Sequence, residues 1–364
     1  MSSKKALIAM SGGVDSSVAA LLTKNSGFDC IGCTMKLYDN DNTDVVGAHT
    51  CCSLNDVEDA RSVAFKLGMP YYVFNFSDEF KEKVIDKFIC SYECGITPNP
   101  CIDCNRYLKF DKLYNRAKVL GCDYIVTGHY ARIENANGKY VLKKAIDDTK
   151  DQSYVLYSMT QEQLAHTMFP LGGMTKVETR KIASENGFVN SAKPDSQDIC
   201  FVPDGDYASV IEKYTNKKPN KGDFVTKTGE KIGEHNGIIN YTIGQRKGLG
   251  ISSSAPLYVL GIDEKANRVV LGENKDLFDD TLFVKDFNWI SGKVPTASFK
   301  CKVKIRYRQK EQDAVIYPLE NGVVKIVFDE PQRAITPGQA AVAYDGDVVL
   351  GGGIILKKGE NYVI

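Results

Sequence analysis

The chain has 364 residues, 43% of them hydrophobic, with 46 Lys plus Arg balanced by 46 Asp plus Glu. That length passes the ~250–300 residues at which a single core stops growing, so two or three domains are expected. The composition excludes a disordered or collagen-like chain, no run of ~18 apolar residues could span a bilayer, and the N-terminal apolar run is too short for a signal peptide, so a cytoplasmic protein is expected.

The first ~200 residues alternate apolar β-type runs with amphipathic helical runs. Residues 6–10 read as a buried strand. Ser11-Gly12-Gly13-Val14-Asp15-Ser16-Ser17 follows at once, and a helix opens at 16–22. A strand, a glycine pair and a helix start make an anion site, because glycines free backbone N–H groups and the helix N-terminus carries partial positive charge. Without Gly-Lys-Ser/Thr it is not a Walker A loop. The competing reading is an ordinary glycine turn capped by Ser11 or Asp15. Strands are expected at 30–37, 71–76 and 124–127, and helices at 57–67, 80–94 and 105–120. Strand–helix alternation predicts an α/β fold with a parallel sheet and ligands beyond the carboxyl ends of its strands.

Eleven cysteines, ten of them at or before Cys200, sit in a chain expected to be cytoplasmic. Reduced catalytic or metal-binding thiols are therefore expected rather than a disulfide scaffold. In Thr97-Pro98-Asn99-Pro100-Cys101-Ile102-Asp103-Cys104-Asn105, Cys104 falls at the expected start of the 105–120 helix, where the dipole favours thiolate. Cys200 lies in a polar loop, Asp195-Ser196-Gln197-Asp198-Ile199-Cys200-Phe201. Cys30 and Cys33, three apart in a strand, point to opposite faces and chelate poorly. Cys51-Cys52 and Cys90/Cys94 are weak zinc candidates, and Cys122 and Cys301 read as packing residues.

Beyond about residue 204 short β-runs alternate with Gly-rich turns, and from about 280 the chain reads as all-β. Asn321-Gly322 and Asp345-Gly346 are hairpin turns and a small barrel is expected. The domains expected are 1–204 (α/β), 205–279 (small, central, β-rich) and 280–364 (C-terminal β-barrel). In residues 300–310, Lys300, Lys302, Lys304, Arg306, Arg308 and Lys310 alternate with Cys301, Val303, Ile305, Tyr307 and Gln309. Strand period two would put six cations on one face, which suits a polyanion; the competing reading is a solvated edge charged against aggregation. The balance of charge by halves does not add to this: residues 1–200 carry 23 basic and 25 acidic groups, residues 201–364 carry 23 and 21. Any nucleic-acid affinity would thus come from a local stripe with modest salt dependence.

Ser-Gly-Gly-Val-Asp-Ser resembles the PP-loop of ATP pyrophosphatases. Ser11–Ser17, Pro98–Asn105, Gly128-His129-Tyr130, Lys150-Asp151-Gln152-Ser153-Tyr154, Asp195–Phe201, Gly244-Gln245-Arg246-Lys247-Gly248-Leu249-Gly250 and Thr336-Pro337-Gly338-Gln339 together, in that order, resemble the tRNA-specific 2-thiouridylase (MnmA/TrmU) family. The resemblance implies ATP-dependent 2-thiolation of a tRNA wobble uridine. The C2 oxygen would be adenylated with release of pyrophosphate, and a cysteine-borne sulfur would displace AMP. It implies ATP contacts at Ala9, Met10, Ser11, Gly12, Gly13, Val14, Asp15, Ser16, Met35 and Gly128, with Mg2+. It implies target-base contacts at Asn99, Pro100 and Cys101, and tRNA contacts at His129, Lys150, Asp151, Gln152, Arg306, Tyr307 and Gln339. Cys104 and Cys200 would be the catalytic thiols, Cys200 carrying the persulfide, and the two could form a disulfide. A cysteine desulfurase or sulfur-relay protein is implied as donor, no membrane partner is expected, and the chain is expected to be a monomer. Many members have Asp where this chain has Cys101. Cys101, Cys104 and Cys200 would therefore also suit a 4Fe-4S cluster with one open iron. The alternatives outside the family are a PP-loop amidating ligase, which needs neither thiol, and a non-catalytic Cys-rich RNA-binding protein, which needs no phosphate loop.

Overall fold

The computed structural model describes residues 3–38, 54–195, 199–202 and 205–359. The Cys51-Cys52 zinc candidate and Ser196, Gln197 and Asp198 lie outside them. Strands β1 (Lys5–Ala9), β2 (Asp29–Lys36), β3 (Tyr71–Asn75), β4 (Tyr124–Val126) and β7 (Thr167–Met168) form a parallel sheet in the order β3-β2-β1-β4-β7. The order reverses direction at β1, so the crevice beyond the carboxyl ends of β1 and β4 is the expected ligand position. One face packs Leu7, Cys33 and Met35; the other packs Ala6, Ile8 and Cys30. Cys30 and Cys33 thus point to opposite faces, as their spacing requires, and burial pushes the Cys30 thiol up to about 11.

The sheet is flanked by α1 (Val14–Asn25) and α2 (Leu54–Lys66), a helix over 77–93 and another over 100–119. Both of the longer helices contain a π-helical stretch, Lys81–Ile85 in the first and Cys104–Lys112 in the second. The last helix begins five residues earlier than the sequence suggests. Asn99 is its cap, its side chain accepting the Cys101 N–H at 3.2 Å, and Pro100 takes the first helical position, where a missing N–H costs nothing. Cys101 is therefore the thiol in the first turn, and Cys104 lies one turn further in.

A four-stranded sheet, β10-β11-β8-β9, follows: β8 (Gly222–Val225), β9 (Lys231–His235), β10 (Tyr258–Asp263) and β11 (Arg268–Gly272). The last strands are β12 (Phe278–Trp289), β13 (Phe299–Lys304), β14 (Gln312–Pro318), β15 (Val324–Arg333), β16 (Ala340–Asp345) and β17 (Val348–Ile355). They run in the order β12-β15-β14-β13-β16-β17, and β12 pairs with β17 to close a six-stranded barrel. Closure leaves no free edge within the ring. A hairpin from the first region, β5 (Ala131–Ala136) and β6 (Lys139–Lys144), extends the barrel sheet through β17. Its turn is Asn137-Gly138, both at positive φ.

The cationic stripe is shorter than expected. Strand β13 stops at Lys304, the chain turns with Gln309 N–H bonded to Arg306 O, and Arg306 folds inward onto Ala334 O and Thr336 Oγ1, both at 2.8 Å. Only Lys300, Lys302 and Lys304 share the strand face. Lys302 pairs with Asp313, and Lys304 lies over the Tyr154 and Tyr307 rings.

Candidate active site

The phosphate loop sits between β1 and α1. Gly13 caps α1 with extended backbone, Ser16 Oγ and Ser17 Oγ donate to Gly13 O at 3.0 and 3.1 Å, and Ser11 N–H donates to Ser16 Oγ at 3.2 Å. Two glycines make the fold of this loop possible. Gly12 has φ +73, and a Cβ there would lie 2.3 Å from Asp56 O. Gly128, just past β4, lets that strand close on the start of α1, since a Cβ would lie 2.7 Å from Ser16 N. Met10 and Met35 are buried, Met35 in the core on one sheet face, while Ala9 is half-buried.

Charged side chains brace the loop from two sides. On one, Lys176 Nζ is 2.6 and 2.8 Å from the two Asp15 oxygens and 2.8 Å from Asp195. Tyr130 donates to Asp15 Oδ1 at 2.9 Å. Asp195 also pairs with Lys150 and Arg180, each at 2.7 Å. Burial alone would raise the Asp195 carboxyl; hydrogen bonds from Lys150 and Lys176 outweigh it and hold it at about 2. On the other side, Asn190 donates to Gly12 O and Ser17 Oγ, both at 2.9 Å. Lys193 bridges Asp56 and Asp59 at 2.6 and 2.7 Å. The roles of Lys176, Arg180, Asn190 and Lys193 had no local signature; they come from residues 176–195, and only the polar run before Cys200 hinted at them.

The thiols lie along the adjacent surface. Cys101 is exposed; Cys104 and Cys200 are half-buried and pack against the same core cluster as Met35 and Leu37. Tyr38, just past β2, donates to Cys200 O at 3.3 Å, and Phe201 packs edge-on against Phe80 and Phe88. Cys200 is thus held beyond the carboxyl end of β2, on the edge of the sheet that carries the phosphate loop. Among the described residues no three Cys, His, Asp or Glu side chains gather so as to hold one metal ion. Cys101, Cys104 and Cys200 therefore do not fit a cluster as they stand.

Several residues expected to meet RNA make internal bonds here. His129 is 7% exposed, with rings of Phe110 and Phe169 beside it and Thr127 Oγ1 2.6 Å from Nδ1; burial, then Lys109, hold it well below the usual histidine range. Asp151 accepts Ala145 N–H and Ser153 N–H, and Gln152 Oε1 accepts Tyr130 N–H. Gln339 Nε2 donates to Thr97 O at 2.9 Å, and Thr97 N–H donates to Pro337 O. Gly338, at φ +89, fits against Ile96 where a Cβ would lie 2.2 Å from Cγ2. The barrel loop 336–339 is thereby fastened to the strand of chain that leads into Asn99, Pro100 and Cys101. Tyr307 is exposed beside Tyr154.

Comparison with known proteins agrees with this layout. Residues 4–204 match the tRNA methyl transferase HUP domain, 208–273 the tRNA methyl transferase PRC-barrel domain, and 279–355 the aminomethyltransferase beta-barrel domain. The chain is 53% identical over 358 residues to the tRNA-specific 2-thiouridylase MnmA of Clostridioides difficile (strain 630), covering 98% of this chain and 99% of the relative. It is 52% identical to that of Acetivibrio thermocellus, covering 98% and 100%. A solved 4-thiouridine synthetase–RNA complex with bound ATP aligns over 58% of this chain and 50% of that one, at 20% identity and a TM-score of 0.34. No helix among the described residues is long and apolar enough to cross a membrane. With near full-length identity above half, this chain belongs to the tRNA-specific 2-thiouridylase family.

Proposed function

We propose that this chain thiolates C2 of a tRNA wobble uridine in the cytoplasm, using ATP and a cysteine-borne sulfur. One observation carries the reading: residues 190–195 brace the phosphate loop, and Cys200 follows them closely in the sequence. Asn190 holds Gly12 of the phosphate loop, Asp195 holds Lys176 against Asp15, and five residues later Cys200 is fixed by Tyr38. A nucleotide bound at Ser11–Ser16 and a sulfur on Cys200 would serve the same crevice.

The uracil C2 oxygen attacks the α-phosphorus, an O–P bond forms, the bridge to the β-phosphate breaks, and pyrophosphate leaves. Loop N–H groups at Gly12–Ser16 and the start of α1 favour the phosphate charge. Asp15, the carboxylate at this loop, would be the residue to hold a Mg2+, which would supply charge neutralisation at the phosphates. The terminal sulfur of a Cys200 persulfide attacks C2 and AMP departs. Cys104 thiolate then attacks Cys200 Sγ, releasing the thiolated base and leaving a Cys104–Cys200 disulfide that two electrons from an external thiol restore. We assign Cys101, exposed in the first helical turn, to contact with the base together with Asn99 and Pro100. We read residues 205–279 and the barrel as tRNA-gripping domains, the chain as a monomer, and a cysteine desulfurase or relay protein as donor. The test is anaerobic incubation of the purified chain with ATP, Mg2+, tRNA, a dithiol reductant and a cysteine desulfurase with L-cysteine as the persulfide donor, followed by nucleoside analysis. 2-Thiouridine formed only with ATP is expected; pyrophosphate release without 2-thiouridine would overturn the sulfur-transfer reading.

A further inference from the structure

The phosphate loop lacks the lysine that many nucleotide loops carry within their own sequence. The fold supplies one from elsewhere. Lys176 opens a ten-residue helix, Lys176–Glu185, whose capping box with Thr175 and Glu178 fixes its first turn. The Lys176 backbone N–H is held by Asp147 at 3.0 Å, and the residue is only 8% exposed. Its ammonium lies against Asp15 and Asp195 and 5.8 Å from the Tyr130 ring.

We propose that Lys176 is the phosphate-binding lysine of this site. The inference rests on the ATP reading above and adds the residue that grips the β- and γ-phosphates. When the polyphosphate enters, the ammonium turns from Asp15 toward it while Asp195 retains the lysine. The departing pyrophosphate then meets a fixed cation as the P–O bond breaks and charge moves onto the leaving oxygen. A buried lysine already neutralised by two carboxylates can change partner without crossing into bulk water. Asp195 keeps Lys150 and Arg180 when Lys176 is removed, so the site does not lose all its pairing.

The experiment is titration of the full chain with ATP, AMP and inorganic pyrophosphate, in the unaltered protein, Lys176→Gln and Lys176→Arg. Lys176→Gln is expected to weaken ATP and pyrophosphate by about tenfold or more, as loss of a charge-assisted contact does. AMP, which lacks the two outer phosphates, is expected to bind unchanged, and Lys176→Arg, which keeps the charge, to recover part of the loss. ATP bound by Lys176→Gln as tightly as before would overturn the proposal, as would ATP and AMP weakening together. If the unaltered chain binds neither nucleotide, the ATP reading itself falls and takes the proposal with it.

Discussion

The phosphate loop and the thiol helix are held in different ways. The loop is clamped by side chains: Lys176, Asp195, Asn190 and Lys193 converge on a few residues. The thiol segment is held by backbone. Asn99 caps its helix, and the barrel reaches it through Thr97 N–H to Pro337 O and Gln339 to Thr97 O. The first arrangement suits a site that must meet high charge. The second ties the segment 101–104 to the C-terminal barrel.

The widest separation between the two regions should come from the thiols. Cys200→Ser and Cys104→Ser are expected to lower 2-thiouridine formation by about a thousandfold or more, since no other group replaces the nucleophile. Pyrophosphate release with tRNA should persist in both. Substituting Ala at Asp15 should remove both products. Comparing pyrophosphate with 2-thiouridine in one reaction checks this; full thiolation by Cys104→Ser with the persulfide donor would erase the distinction.

The glycines test whether each region is as rigid as its bonds suggest. At Gly12 a Cβ would press on Asp56 backbone at 2.3 Å in a left-handed conformation, so Gly12→Ala is expected to cost about 2 kcal/mol or more, read as a lowered Tm. Gly338→Ala meets Ile96 instead and loosens the barrel's hold on the segment before Cys101. It is expected to lower thiolation about tenfold, a loss in orientation, while ATP affinity is unchanged. Equal loss of ATP binding in both variants would show one continuous site.

Acid separates the two regions more gently. Asp195 is held at about 2 in the folded chain against about 4 when unfolded. Its contribution is therefore complete above about pH 4 and lost as pH falls toward 2. Asp195→Asn should remove that part of the acid dependence and lower ATP affinity at neutral pH, measured by thermal melts across pH. Identical melts between pH 2 and 5 in both proteins would break the link.

The parallel sheet and the phosphate loop were legible because their determinants are contiguous: an apolar run, a glycine pair and a helix start. The clamp was not, because Lys176 and Asn190 reach the loop from more than 150 residues away and carry no periodic pattern of their own. The hairpin of β5 and β6 did carry a signal, Asn137-Gly138, but the apolar alternation around it is weak and its partner strand β17 lies far along the chain. Cys104 was misplaced at the helix start because Pro100 reads as a stiffener, whereas with Asn99 ahead of it the same proline begins the helix.

The smallest effect concerns the cationic stripe, and it decides what kind of RNA contact the barrel makes. Period two placed six cations on one face, but the alternation ends where Arg306 is drawn inward to Ala334 O and Thr336. Of the three cations left on β13, Lys302 already has Asp313, and burial pulls Lys304 below the usual lysine range against two tyrosine rings. Lys300 and Lys302 are both exposed, but of the two it is Lys302 that a carboxylate holds. In a log–log plot of tRNA affinity against salt, Lys300→Gln is expected to reduce the slope by about 1, and Lys302→Gln by less, because its phosphate contact competes with a carboxylate. Equal changes for Lys300→Gln, Lys302→Gln and Lys304→Gln would mean that RNA strips Lys302 and Lys304 from their partners. The barrel would then act as a broad electrostatic surface, rather than as the clasp on residues 97–98 that its backbone bonds describe.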